Sequence, residues 1–475
     1  MSRRHYAEAA NDSCLAPWLI SVSAKPQPGD EAPSGRPRLL VVSYAFPPLH
    51  VAMAPCVAKP MAALARDGYE IDVVCAGVFV PSISVDDSLT DFVDRHFSTV
   101  MRLVPEAKPL KGWRKLEHIF GHWLLPRVDA LLKRAVSHYP GEWASKGYAS
   151  LTALRHPDPM SALGPAMLEV IEGLDVARYD AILSWSPYHS INRVMMKVKS
   201  RYPSIPWIAQ FSDPWAGNPL EPRWAVSLAA RIAEIRAVSK MDYVVHNSPA
   251  SMELMKRHVP KSHMPKHKVV AHPFESDLYP QRPKAKGEKL IMRHVGVLFG
   301  RRSPEPLFMA IAQLLGQRPD LRDTIQLELI GPIEPEMLET AAARALGDIV
   351  VCRPSVSYSE SLSLMYDADV LLLIEADVSN NLFLPSKLSD YIGAGSPIVG
   401  IVPDGAAHDV VCQLGGWVAS PHEPKSIVSA MTAAINEALS GRAPDAWSNV
   451  DIKTQFSSGH IAREYATILS EISKR

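Results

Sequence analysis

Short continuous apolar runs, each followed by a helical stretch, recur along most of this chain. That alternation limits the fold more than any other feature. Leu39–Ser43 is an apolar run of the kind found in strands buried on both faces. A loop, Tyr44–Ala54, carries Phe46-Pro47-Pro48, and Pro55 then suits the first turn of a helix running to Arg66. Gly68 is the expected helix stop, and Ile71–Cys75 is the next strand. Strand, helix and strand in so short a span predict a right-handed βαβ unit, with the 44–54 loop at the carboxyl end of its first strand. Further strands are expected at 181–184, 207–211, 243–246 and 269–271, and then at 291–297, 326–330, 349–352, 370–374 and 397–402. Two doubly wound α/β domains with parallel sheets follow, with a ligand between them at the strands' carboxyl ends.

At 475 residues the chain exceeds what one core usually holds, so two domains of about 200 residues each are expected. Residues 1–36 read as a disordered leader, 37–275 as the first domain with an insertion at about 105–160, and 276–288 as a Pro- and Lys-rich linker. The second domain covers 289–445, and 446–475 is a tail helix whose apolar positions Ile461, Tyr465, Ile468 and Leu469 give it one face to bury. Lys+Arg equals Asp+Glu, so no global basic field points to nucleic acid. No apolar run is long enough to span a membrane. Cysteines 14, 56, 75, 352 and 412 are odd in number and scattered, which argues for reduced thiols in a cytoplasmic protein and against a structural zinc. The 105–160 insertion carries Trp113, Trp123 and Trp143 among basic residues. It reads as a segment packed on the domain, with peripheral contact to the inner face of a membrane as the alternative.

The stretch Phe383–Gly400 concentrates the chemistry. Ser386 is a suitable N-cap, Lys387 falls in the first helical turn, and Gly395 with Ser396-Pro397 ends the helix before the apolar run 398–402. A helix N-terminus carries unpaired N–H groups and partial positive charge, so a lysine there is locally unfavourable unless an anion arrives. Lys387 and Asp390 share one helix face. That arrangement suits a nucleoside diphosphate, with phosphate at the helix mouth and ribose hydroxyls on the carboxylate. A solvated first turn with an ordinary charge pair explains the spacing equally well.

Taken together, SYAFPP, AILSWSP, WIAQFSDPW, HVGVLFGRRSPEPL, ADVLLLIE and LPSKLSDYIGAGSPIVG, in that order, resemble the GT-B glycosyltransferases of family 4, in the subset with a Pro-Ser-Lys donor motif. The resemblance covers most of the chain from Arg38 on, apart from the insertion. It implies two Rossmann-like domains facing a cleft. It also implies sugar transfer from a nucleotide-diphosphate sugar to a glycan, lipid-linked or small-molecule acceptor, with retention and with neither metal nor cofactor. Carried over residue by residue, it assigns close backbone approach to Gly296 and the diphosphate loop to Gly300, Arg301 and Arg302. Ser386 and Lys387 supply the second diphosphate contact, and Asp390 the ribose contact. Asp213 is the acidic position facing the cleft, and His50, in the Phe-Pro-Pro loop, is a second catalytic candidate.

The chain also departs from the family pattern. Residues 49–54 contain neither the glycines nor the arginine usual after Phe-Pro-Pro, and Leu382 stands where a sugar-binding glutamate is common. Glu375, at the end of its strand, offers a substitute. These departures leave a second class of function open, a catalytically silent protein of the same fold that serves as a partner subunit.

Overall fold

The computed structural model describes residues 18–24, 35–77, 84–105, 158, 160–219, 224–285, 287–378, 382–440 and 449–473. Most of the 105–160 insertion, with its tryptophans, lies outside them. In chain order the first unit contains β1 (Trp18–Ala24), β2 (Arg38–Ser43), α1 (Met53–Arg66), β3 (Glu70–Ala76), α2 (Thr90–His96), β4 (Thr99–Pro105) and α3 (Gly164–Glu172). It continues with β5 (Ala181–Ser186), α4 (Ser190–Arg201), β6 (Trp207–Phe211), α5 (Trp224–Val238), β7 (Tyr243–His246), α6 (Pro249–His258) and β8 (Lys266–Val269). The second unit contains β9 (Leu290–Val295), α7 (Glu305–Gln317), β10 (Ile325–Ile330), α8 (Ala341–Leu346), β11 (Val350–Arg353), α9 (Tyr358–Tyr366) and β12 (Val370–Ile374). Then follow α10 (Ser386–Ala394), β13 (Ile398–Ile401), α11 (Ala406–Leu414), β14 (Trp417–Ala419) and α12 (Pro424–Leu439), and finally α13 (Val450–Gln455) and α14 (Ser458–Ser473).

Among the described residues the first sheet runs β1-β4-β3-β2-β5-β6-β7-β8 and the second β11-β10-β9-β12-β13-β14. All neighbours pair in parallel except β1 on β4. Strand order reverses between β2 and β5 in the first sheet and between β9 and β12 in the second. At such switch points the loops leave in opposite directions and open a crevice. The loops after β2 and β5 therefore face those after β9 and β12.

Burial follows the strand pattern. β2 and β5 are apolar on both sides because helices cover both faces. Leu40 and Val42 pack under α3, α4 and α5, whereas Leu39 and Val41 pack under α1, α2 and the tail helix α14. The tail helix buries Ile461, Tyr465 and Ile468 in that core, and Tyr465 donates its hydroxyl hydrogen to Gln210 Oε1 at 2.9 Å.

Several expectations needed correction. Residues 18–24, placed in the leader, form an edge strand. The strand expected at 269–271 lies at Lys266–Val269, where alternating charge hides it from an apolar scan. β4 and the three-residue β14 were not anticipated. Within the segment expected to link the domains, Arg282 donates two hydrogen bonds to Asp367 at 2.9 and 2.6 Å. No described helix is long and apolar enough to cross a membrane.

Ile468 is fully buried between α14 and the first sheet. Ile468→Ala is expected to destabilise the protein by about 2–5 kcal/mol through lost contacts and the residual cavity. Chemical denaturation of the full chain measures it.

Candidate functional site

A cleft of about 730 Å³ lies between the two units, lined by loop residues after β2, β5, β6, β9 and β12 and by the start of α10. Residues of its first-unit wall include His50, Tyr188 and Asp213; residues of its second-unit wall include Gly296, Arg302, Glu375 and Lys387.

The second-unit wall holds a compact ionic cluster. Glu375 follows β12 and is buried. Its Oε2 accepts from Arg302 Nη2 at 2.7 Å, and its Oε1 lies 3.7 Å from Lys387 Nζ, an ion-pair distance too long for a hydrogen bond. Two cations thus share one carboxylate, leaving an excess positive charge. Lys387 Nζ, Arg302 Nε and His294 Nε2 are all cut off from solvent and have no hydrogen-bond partner. Unsatisfied buried donors are costly, and two cationic donors beside a cleft mark a place for an anion. Burial pulls the Lys387 ammonium down to about 8, partly offset by Glu375. His294 donates Nδ1–H to the Leu372 carbonyl at 3.0 Å. Burial holds its ring neutral, so Nε2 is left as an acceptor.

The backbone is shaped around this lysine. Gly296 has φ +145°, and a Cβ added there would meet Lys387 Nζ at 2.9 Å. Only glycine admits both the conformation and the ammonium. α10 adds its N-terminus: the N-cap is Pro385, which contributes no side-chain hydrogen bond, so Ser386 is the first helical residue and not the cap.

Other expected residues fall differently. Arg301 is exposed, and neither it nor Gly300 lines the cleft. The Gly300 N–H is taken by Glu334 Oε2 at 2.9 Å. Of the Gly300-Arg301-Arg302 loop, Arg302 alone reaches the cluster. Glu375, offered as a sugar-binding substitute, instead holds Arg302 and Lys387 in place. Asp390 lines the cleft, yet its Oδ1 already accepts from Lys59 Nζ at 2.7 Å and from the Tyr358 hydroxyl at 2.9 Å. Lys59, on α1 of the first unit, is only 1% exposed. No sequence signal marked it, because a lysine inside an apolar helix reads as an ordinary surface position.

This pair is one of several links between the units. Asp86 Oδ2 accepts from the Tyr358 N–H at 2.5 Å, so a carboxylate of the first unit caps the N-terminus of α9 in the second. Asn247 Nδ2 donates to the Leu384 carbonyl and Ser248 Oγ to the Leu382 carbonyl, both at 2.8 Å, fixing the approach to α10.

On the opposite wall, Asp213 follows β6, and burial raises its carboxyl to about 6. Behind it, His189 stacks on Trp215 with a 2° interplanar angle, and burial keeps its ring neutral, its pKa pulled down to about 3. His189 is a packing group of the Asp213 loop. His50 lines the cleft, its Nδ1 3.2 Å from Ser84 Oγ. Its loop is held by the Leu49–Val85 bridge and by the His50 N–H to the Ser84 carbonyl at 2.9 Å.

Neither a family model nor a curated protein sequence matches the chain. Solved structures do. Sucrose-phosphate synthase from Thermosynechococcus elongatus superposes with a TM-score of 0.60 at 15% identity, over 92% of this chain and 99% of that one. Anabaena HepE, solved with UDP and glucose, gives 0.58 at 14% identity over 91% and 99%. A UDP-forming alpha,alpha-trehalose-phosphate synthase from Burkholderia xenovorans, solved with glucose-6-phosphate, gives 0.56 at 13% identity over 91% and 100%. The chain has the GT-B fold. At these identities the likeness establishes the architecture, two Rossmann-like domains across a cleft, and the cleft described above lies between those domains.

Lys59→Met leaves Asp390 buried without its cation and is expected to cost about 3–5 kcal/mol, while adding Asp390→Leu recovers much of that loss. Equilibrium denaturation of the single and double variants reads the difference.

Proposed function

We propose that this protein is a glycosyltransferase that moves a sugar from a nucleoside-diphosphate sugar to an acceptor hydroxyl. The carrying observation is the Lys387–Arg302–Glu375 cluster beneath the N-terminus of α10, with cationic donors that no protein group satisfies. The GT-B neighbours support the reading: they include a sucrose-phosphate synthase, a UDP-forming trehalose-phosphate synthase, and HepE in complex with UDP and glucose. Membership of family 4, in the subset with a Pro-Ser-Lys donor motif, is part of the proposal.

In this reading the diphosphate sits on Lys387 Nζ, Arg302 Nε and the first N–H groups of α10. As the bond between the anomeric carbon and the phosphate oxygen breaks, charge grows on the departing diphosphate. Preorganised cations in a partly desolvated cleft stabilise it. The acceptor hydroxyl attacks from the face the diphosphate leaves, its proton passes to a phosphate oxygen, and the anomeric configuration is retained. Fixed side-chain cations supply the neutralising charge, without a metal or cofactor in the scheme. Asp213 accepts a hydrogen bond from a second hydroxyl of the acceptor and so orients the attacking one, and His50 borders the sugar. Asp390 offers the ribose the part of its carboxylate not committed to Lys59 and Tyr358. The acceptor is a glycan, a lipid-linked saccharide or a small molecule, and cytoplasmic sugar nucleotides suit a cytoplasmic enzyme.

A second reading, a nucleotide-binding GT-B subunit without turnover, is favoured by the Asp390–Lys59 contact and by the glycine-free 49–54 loop. Binding and turnover separate the two.

A thermal-shift panel of UDP, GDP, ADP and TDP is expected to show stabilisation by at least one, and no shift with any of them overturns the reading. Lys387→Ala is expected to abolish that shift. Lys387 must be protonated to hold the diphosphate, and its pKa near 8 rises when the anion binds. Affinity is therefore full below about pH 8 and falls as pH rises through it, by about tenfold per unit. Calorimetry on the wild type across that pH range checks the sign.

Asp213 acts as a carboxylate, and its pKa lies near 6. Turnover is expected to decline as pH falls through about 6. Asp213→Asn is expected to lose that acid limb and, because Asp213 positions and does not take the proton, roughly 10²-fold in kcat.

A further inference from the structure

The face of the first domain opposite α1 and α14 carries α4 and α5 side by side. α4 turns Val194, Met195 and Val198 into the core and leaves Arg193, Lys197 and Arg201 exposed. α5 leaves two large apolar side chains in solvent, Leu228 at 50% and Ile232 at 46% exposure, with Arg231 and Arg236 on the same outward arc. Between the helices runs an open groove of about 730 Å³. Met196 and Ala233 line it, and Arg193, Lys197, Arg201, Arg236 and Lys240 border it. Among the described residues the charge is only partly opposed: the Asp158 carboxylate lies near enough to Arg193 to feel its charge. Arg201 meets Glu172 at 3.0 Å, Lys240 donates to Ser200 Oγ at 3.0 Å, and the Glu234 carboxylate of α5 is buried against His258 and the Ala216 N–H. The chain as a whole has no net charge, so this is a local concentration.

We propose that this face docks on an anionic membrane surface. The basic rim meets phospholipid phosphates, and Leu228 and Ile232 enter the boundary between headgroups and acyl chains. Charge complementarity identifies the partner: a broad cationic rim suits a two-dimensional array of phosphates, and apolar side chains standing among the cations suit a surface with hydrocarbon below its charge. A protein partner would call for a deeper apolar core to the patch. Nucleic acid offers no hydrocarbon for Leu228 and Ile232. The proposal stands apart from the sugar-transfer reading, because it is measured without turnover.

Sedimentation of the full chain with large vesicles tests it. The wild type is expected to bind phosphatidylcholine vesicles containing phosphatidylglycerol and to bind pure phosphatidylcholine at least about tenfold more weakly. High salt should weaken the anionic binding. Arg193→Glu, Lys197→Glu, Arg236→Glu and Lys240→Glu combined should reduce partitioning by roughly a hundredfold or more. Leu228→Ser with Ile232→Ser should reduce it by about tenfold at either salt. All of these positions are exposed and outside the cleft, so the variants should keep wild-type nucleotide shifts and Tm, which controls for folding. Equal binding to neutral and anionic vesicles, or unchanged partitioning of the fourfold variant, overturns the proposal. Displacement from vesicles by an RNA oligonucleotide bound more tightly than the lipid also overturns it and assigns the face to nucleic acid.

Discussion

The Lys59–Asp390 pair sets the geometry on which the rest of this structure depends. An ammonium inside an apolar helix is tolerable only if a carboxylate and further hydrogen bonds replace its water. Lys59 finds Asp390 at 2.7 Å and the Tyr358 hydroxyl at 3.0 Å, both in the other domain. The first domain's α1 is thereby tied to α10 and α9 of the second. Because Lys387 lies one turn before Asp390 on α10, the contact that closes the domains also fixes the helix mouth facing the cleft. Asp86 at the start of α9 and Asn247 beside Leu384 hold the same arrangement from two more directions.

Around that frame the cleft is built to be electrostatically incomplete. Glu375 could neutralise one cation and is asked to hold two, so Arg302 and Lys387 stay close together with donors unspent. Gly296 gives up a side chain to make room for the ammonium. Each feature costs stability in the empty protein, and under the proposed reading a bound diphosphate would take up the unspent donors, a common pattern where binding sites trade folding energy for affinity. The opposing wall is chemically quieter: one carboxyl near neutrality, Asp213, backed by the stacked rings of His189 and Trp215.

Much of the architecture was legible in the chain because parallel strands buried on both faces are nearly unbroken apolar runs. β2, β6, β7 and β12 are of that kind, and the helices between them carry clear turn and stop signals. What escaped has physical reasons. β1 and β8 are edge strands, paired on one side only, so their sequences need not be apolar; β14 is only three residues long. In the site, Lys387 stood out because a cation at a helix N-terminus contradicts the local field. Arg301 and Arg302 are neighbours with the same chemistry, and nothing along the chain says which one turns inward.

The sequence by itself determined the two alternating α/β units, the switch-point loops and the helix mouth with its lysine, because periodicity, turn residues and helix polarity are local properties. Only the tertiary structure decided that Glu375 gathers Arg302 and Lys387, that Asp390 is shared with Lys59, and that the basic sides of α4 and α5 lie together beside Leu228 and Ile232. Each of these joins residues from separate elements, and distance in space between side chains far apart in the chain is set by packing, which no local pattern encodes.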